Sequence, residues 1–221
     1  MPDGQGEPSA LFVDRADAGA RLAARLRELT WVDPVVLGLA RGGVLVAVAV
    51  AVALNAPLDV AVARKIAAPG YPEFGVGAVT ADGPPHYDER TLARLGLTPD
   101  DLRATCDRER AEARRRLRLY RGDRAPLPVT GRDVILVDDG LATGVTARAA
   151  LGELRRARPR RLVFAAPVCA RDSASTLRID GDADDVICLA APRAFGGVSR
   201  WYHEFDQTTD EEVLAALASV S

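Results

Sequence analysis

Five short, nearly uninterrupted apolar runs set the rhythm of this chain: residues 35–39, 58–62, 134–137, 162–168 and 186–189. Such runs, with little polar alternation, predict strands covered on both faces, the habit of a parallel sheet. Between them the period lengthens. Residues 16–29 place Ala20, Leu22, Ala23, Leu26 and Leu29 at helical spacing, and Pro34 follows as a breaker. Residues 44–54 are apolar on nearly every face. Their length and recurrent alanines favour a buried helix, which Asn55 and Pro57 end. Thr98, Pro99, Asp100 and Asp101 predict the start of a helix running to about Tyr120, with a capping residue, an early proline and acids at the positive end. Helices are also predicted over 146–157 and from a Thr209 cap to Val220. Residues 64–85 read as irregular, with a short strand at 75–79, and 192–206 as an irregular aromatic tail. Residues 1–8 read as frayed. Strands alternating with helices predict an α/β fold: a mostly parallel sheet with helices on both faces.

Composition narrows the function classes. A formal net charge of −2 gives no global sign of a nucleic-acid binder. The longest apolar run, 44–54, is shorter than the roughly 20 residues a membrane-spanning helix needs, so no membrane association is predicted. The first eight residues hold two acids and no base, unlike a secretory leader, and the chain reads as cytoplasmic. Cys106, Cys169 and Cys188 form no zinc pattern or disulfide framework and read as small buried side chains. Of 29 basic residues only Lys65 is a lysine, a hint that a compact ammonium is wanted there. Residues 108–118 alternate arginines with Glu109 and Glu112, and read as a solvated helix face laced with ion pairs. The competing reading is a polyanion-binding stripe.

In open parallel sheets ligands bind at the carboxyl ends of the strands, and the chemistry-bearing residues fall there. The 134–137 strand delivers Asp138 and Asp139 into a loop, Gly140-Leu141-Ala142-Thr143-Gly144-Val145-Thr146, that opens a helix. Backbone N–H groups at such a junction wrap an anion, and the threonine hydroxyls add donors. Acids beside an anion site make sense when the ligand carries hydroxyls or a metal next to its phosphate, as a ribose 5-phosphate does. Ala40, Arg41, Gly42 and Gly43 form a second glycine-rich strand-to-helix turn, a second candidate anion site. Arg64 and Lys65 place adjacent cations at the end of the next strand.

The string from Val134 to Thr146 resembles the signature of type I phosphoribosyltransferases that binds 5-phosphoribosyl 1-pyrophosphate (PRPP). The likeness runs from about Leu37 to Asp206 and is closest to bacterial members of unassigned substrate. It implies a single phosphoribosyltransferase domain over 1–221, with a long inserted lid region at 67–124 and a small C-terminal hood at 190–208. By match, Asp138 and Asp139 bind the ribose hydroxyls and take part in holding Mg2+. Gly140 and the run Ala142, Thr143, Gly144, Val145 and Thr146 bind the 5-phosphate. Ala40, Arg41, Gly42 and Gly43 bind pyrophosphate through backbone amides, often with a strained or cis peptide in the family. Arg64 and Lys65 neutralise the leaving group, and the Arg41 side chain joins Lys65 and the backbone amides in stabilising the departing charge. The hood would hold the acceptor, and Phe195, Trp201 and Tyr202 offer either a stacking surface or core packing.

Ala142 is a departure. Hypoxanthine/guanine enzymes of the family carry an aspartate there, so this loop is more similar to that of the adenine enzymes, without establishing adenine. The resemblance implies Mg2+-dependent transfer of a phosphoribosyl group from PRPP to an unidentified small nitrogenous acceptor. The alternative is a non-catalytic PRPP sensor or regulator. A homodimer is the family's common habit.

Overall fold

The computed structural model of the chain describes residues 10–220. The 1–8 segment, expected from the sequence to be frayed, lies outside the described residues. Five strands form a wholly parallel sheet: β1 (Val35–Leu39), β2 (Leu58–Ala61), β6 (Asp133–Val137), β7 (Arg161–Val168) and β8 (Asp185–Ala190), in the order β2-β1-β6-β7-β8. β6 is therefore the central strand. The apolar runs are continuous because alternate residues of each strand enter two different cores. Val36, Ile135, Val137, Val163 and Ala165 face one side. Leu37, Val134, Leu136, Phe164 and Ala166 face the other.

Helices α1 (Arg15–Arg27), α2 (Gly42–Leu54) and α7 (Asp210–Ala218) fill the first core. The apolar α2 is a helix as expected. It packs against α1 so closely that a Cβ on Gly19 would lie 2.8 Å from the Val46 carbonyl oxygen. α5 (Val145–Arg156) and α6 (Arg171–Ile179) cover the second core. α1 is capped by Asp14, which accepts from the Asp17 amide. No described helix is long and apolar enough to cross a membrane.

Residues 64–85 differ from the irregular expectation. They belong to a second, antiparallel sheet of β3 (Ala63–Ala68), β4 (Tyr71–Thr80) and β5 (His86–Tyr87). Its register shifts twice between Ile66 and Ala68, and Gly70, Gly75 and Gly77 interrupt any period-2 pattern. One face packs on α5 through Ala63 and Ala78. The other packs through Ile66, Val76 and Val79 on Leu92 of α3 (Glu89–Leu95), on Leu102, and on Cys106 of α4 (Arg103–Arg121). These residues form a small core separate from the two that flank the parallel sheet.

The arginines of α4 are largely engaged within the molecule. Arg110 donates to the Gly83 carbonyl at 2.6 Å and Arg114 to that of Ala81 at 2.9 Å. Arg115 and Arg116 both pair with Glu112, and Arg121 pairs with the buried Asp59. The expected ion pairs are present, but the face is not simply solvated: Arg110 and Arg114 dock on the 81–83 backbone.

The reading of the cysteines is corrected. Cys169 and Cys188 form a disulfide, and only Cys106 is free. The parallel pairing of β7 with β8 sets Cys188 opposite Ala166 and brings the two cysteine Cα atoms to 6.1 Å, within bridging reach.

Candidate functional site

The site grows from the carboxyl end of β6. The Asp138 amide donates to the Ala165 carbonyl at 3.1 Å, extending the β6–β7 ladder by one residue. The chain then leaves the sheet and carries two adjacent carboxylates out with it. The Asp139 amide turns back onto Asp138 Oδ1 at 2.9 Å. Burial pushes the Asp138 carboxyl well above the usual carboxylate range, with the charge of Asp139 adding to it. Burial also raises Asp139, against the opposing pull of the Arg15 guanidinium.

Arg15, the first residue of α1, was not a predicted site residue. Its Nε donates to Asp139 Oδ2 at 2.8 Å and its Nη1 to the Asp206 carbonyl at 2.9 Å. Its guanidinium lies 3.9 Å from the centroid of the Phe205 ring. One side chain thus ties the N-terminal helix to the acid pair and to the hood. Nothing in the sequence marks it among 28 arginines; the signal is purely spatial.

Glycines let the acid pair sit this deep. A Cβ on Gly42 would lie 1.9 Å from Asp139 Oδ2, and one on Gly43 would lie 2.5 Å from the Val137 carbonyl oxygen. The Ala40-Arg41-Gly42-Gly43 turn therefore abuts Asp138 and Asp139, as the sequence placed it. The Ala40–Arg41 peptide is cis. The Arg41 side chain leaves the turn toward α7, with its Nη1 3.7 Å from Asp210 Oδ1. Only the backbone of the turn faces the acids.

Beyond the acids the loop is pinned at its ends and open in the middle. Leu141 is clamped to β7: its amide donates to the Val168 carbonyl at 2.9 Å, and its carbonyl accepts from the Ala170 amide at 2.7 Å. Ser173 Oγ donates to the Ala142 carbonyl at 2.5 Å. Gly144, at φ +81°, turns the chain into α5, whose first turn has no side-chain cap. The first amides of an α-helix have no intrahelical partner, so this terminus offers donors to an anion. Ala142 and Thr143 are exposed, Val145 is buried and Thr146 is half-buried. A cavity of about 590 Å³ opens beside them, lined among others by Thr143, Gly144, Val145, His86 and Arg148. Burial and Arg148 lower the His86 pKa, favouring the neutral imidazole there.

The other predicted residues separate. Arg64 and Lys65 lie within β3 rather than at the end of β2, on opposite faces of the strand. Arg64 donates to Glu109 of α4 at 2.9 Å and is turned away from the acid pair. Lys65 shares the α5-facing side with Ala63 and is exposed, its aliphatic stem lying over Gly75. Trp201 and Tyr202 are 6% and 5% exposed, in a cluster with Phe12, Ala18 and Val168. They take the core-packing alternative and offer no open stacking face. Phe195 packs against the same cluster. Tyr202 still acts on the site: its hydroxyl donates to the Asp139 carbonyl at 2.6 Å. The hood also presses Val198 so near the loop that a Cβ on Gly140 would lie 2.4 Å from Val198 Cγ1.

Among the described residues no cluster of three or more His, Cys, Asp or Glu side chains could hold a metal ion. The donor set at the site is two adjacent carboxylates, one already bonded to Arg15. This fits a magnesium ion that arrives on a phosphorylated ligand and keeps water in its shell. It does not fit an all-protein cage.

Comparison with known proteins agrees with this geometry. The phosphoribosyl transferase domain model matches residues 13–204. A Mycobacterium tuberculosis protein, provisionally named a phosphoribosyl transferase, is 42% identical over 207 residues, or 94% of the chain. The chain spans about half of that relative, 46% of its length. The crystal structure of a protein from Thermus thermophilus superposes with a TM-score of 0.77 at 41% identity, covering 95% of this chain and 99% of that one.

Proposed function

The chain belongs to the phosphoribosyl transferase domain family, and from that premise we propose that it binds PRPP with Mg2+ and transfers the 5-phosphoribosyl group to a small nitrogenous acceptor. The observation that carries this reading is one juxtaposition. Two carboxylates leave the carboxyl end of the central strand, the uncapped start of α5 follows within six residues, and the Gly42–Gly43 backbone closes on the acids from the side. A ribose diol matches the carboxylates, a 5-phosphate matches the α5 terminus, and a pyrophosphate matches the backbone of the glycine turn.

In this scheme the bond from C1 to the pyrophosphate oxygen breaks, and the pyrophosphate leaves with the electron pair. The acceptor nitrogen forms the new bond to C1 and loses its proton to water. Asp138 and Asp139 orient the ribose so that C1 faces the hood. The backbone of residues 40–43 stabilises charge on the departing pyrophosphate, and Lys65, on the α5-facing side of β3, adds a cation. Magnesium bound with the pyrophosphate supplies charge neutralisation to the leaving group. The β3–β4 hairpin, together with the rest of 67–124, is suited to exclude water from the reacting centre.

The test is calorimetric titration of PRPP and Mg2+ into the protein and into the Asp138→Asn, Asp139→Asn double variant. Measurable binding by the first and none by the second is expected. Equal affinity of a folded double variant would refute the assignment. PRPP-dependent pyrophosphate release across nucleobases and small amines would then find the acceptor.

A further inference from the structure

The loop between the acid pair and α5 carries at its middle Ala142, which has no polar side chain to brace its own peptide group. The brace comes from α6 instead. The Leu141 carbonyl accepts from the Ala170 amide at 2.7 Å, and the Ala142 carbonyl accepts from Ser173 Oγ at 2.5 Å. Ala170 is the N-cap of α6 and Ser173 its third residue, so both ties come from the start of that helix.

These ties fix where the loop amides point. Both peptide units are trans, and in a trans unit the C=O and N–H are antiparallel. Tying the Leu141 carbonyl toward α6 aims the Ala142 amide away from α6. Tying the Ala142 carbonyl does the same for the Thr143 amide. Among the described residues neither amide donates to a protein oxygen. The chain then runs directly into the uncapped first turn of α5, whose leading amides also lack intrahelical partners. Two loop amides thus extend the row of donors that the helix terminus offers to an anion.

Ser173 differs from the next hydroxyl residue of α6 that makes a bond. Thr176 donates to the Asp172 carbonyl at 2.7 Å, the back-bond that helical Ser and Thr ordinarily make. Ser173 reaches out of its helix to a carbonyl 31 residues away. It also sits against the turn into α5, where a Cβ on Gly144 would lie 3.8 Å from Ser173 Cβ. The Leu141 tie is made by backbone and survives any side-chain change. The Ala142 tie depends on one hydroxyl.

We infer that Ser173 is a positioning residue for the 5-phosphate: its hydroxyl orients the Ala142–Thr143 peptide so that the Thr143 amide is presented to the phosphate. The inference rests on the phosphoribosyl-transfer reading and deepens it. Ser173 touches no part of the ligand and acts through the peptide it braces. Without the hydroxyl that peptide is free to turn, and one of the two loop amides is lost to the phosphate while the other stays in place.

The experiment is calorimetry on the full chain with ribose 5-phosphate and, separately, with pyrophosphate and Mg2+. Ser173→Ala should weaken ribose 5-phosphate about tenfold, as loss of one hydrogen bond to a charged group does, and leave pyrophosphate affinity unchanged. Ser173→Thr keeps the hydroxyl and should bind ribose 5-phosphate as the parent does. Thr176→Val removes the other α6 back-bond without reaching the loop and should also match the parent, which separates bracing of the peptide from support of the helix. Equal ribose 5-phosphate affinity in folded Ser173→Ala, a parallel loss of pyrophosphate affinity, no rescue by threonine, or a matching loss in Thr176→Val would each overturn the inference. If the parent binds neither ribose 5-phosphate nor PRPP, the transfer reading falls and the role of Ser173 with it. If the parent binds both, a null result in Ser173→Ala sinks the role of Ser173 alone.

Discussion

Gly42→Ala is a sharp probe of how the acid pair is seated. Gly42 opens α2 and does not adopt a left-handed backbone, so alanine should by itself favour the helix by at most about 1 kcal/mol. The added methyl, however, lands 1.9 Å from Asp139 Oδ2, 2.6 Å from Asp139 Cγ and 2.9 Å from Arg15 Nε. Restoring a contact of about 3.5 Å requires the carboxylate to withdraw by roughly 1.5 Å. That displacement is incompatible with the 2.8 Å bond from Arg15. Overpacking of this kind costs about 1–3 kcal/mol. Breaking a buried pair costs about 3–5 kcal/mol, which partial exposure of both side chains, 12% and 16%, reduces to about 2 kcal/mol. After the helical gain, a net loss of about 2–4 kcal/mol remains. For a chain of this size that lowers Tm by roughly 5–15 °C. On the proposed reading, PRPP affinity should fall about a hundredfold, because the acids assigned to the diol would have moved by more than an ångström. Thermal denaturation and calorimetry on the same preparation read both. A variant as stable as the parent that binds PRPP equally well would refute the close approach of the turn to Asp139 and the role given to it.

Asp138→Asn should raise stability near neutral pH while it removes ligand binding. The folded pKa of Asp138 is raised, so its penalty is absent below the unfolded carboxylate value and grows as pH rises toward the folded one. The gain from asparagine, read from denaturation midpoints, should therefore vanish on acidification; a gain that increases toward low pH would contradict this sign. Tyr202→Phe removes the donor to the Asp139 carbonyl and should cost about 1–2 kcal/mol in urea denaturation. A larger loss in PRPP affinity than in stability is expected if Tyr202 positions the acid loop. Reducing the Cys169–Cys188 bridge with dithiothreitol opens a cross-link of separation 19 and should destabilise the fold by roughly 3 kcal/mol. Identical denaturation curves with and without reductant would exclude a formed bond.

How much was legible follows from where each signal resides. The parallel sheet could be read because each strand's alternate residues enter two apolar cores, leaving the runs continuous. The acid pair and its loop could be read because strand, acids, small residues and helix are contiguous. Arg64 and Lys65 were misplaced because only Val62 separates β2 from β3. The polypeptide there leaves one sheet and enters another with no turn residue between, and hydrophobic pattern carries no mark of that exchange. α6 was missed because it buries only Leu177. The disulfide depends on the pairing of β7 with β8, which no cysteine spacing encodes. For Trp201 and Tyr202 the sequence left stacking and core packing open, because burial against Phe12 and Val168 depends on contacts distant in the chain.

The burial of these two aromatics shows what the hood contributes. Trp201 and Tyr202 are buried with Phe12 from the N-terminal segment, and the Phe12 and Tyr202 rings lie 5.3 Å apart. From that base the hood reaches the acid loop at two points, the Tyr202 hydroxyl on the Asp139 carbonyl and Val198 against Gly140, and reaches it a third time through Arg15, which donates to the Asp206 carbonyl. Two adjacent carboxylates, both with raised pKa, disfavour the folded state near neutral pH unless something holds them. Arg15 supplies charge and the hood supplies geometry. Arg15 also occupies one oxygen of Asp139 that a ribose diol would use, so ligand entry must share or displace that bond. Because Arg15 is bonded to the hood carbonyl and stacked on Phe205, a shift of Arg15 would be felt at the hood. In the proposed reading, a ligand on the acid pair and the position of residues 205–206 would therefore be linked through one guanidinium.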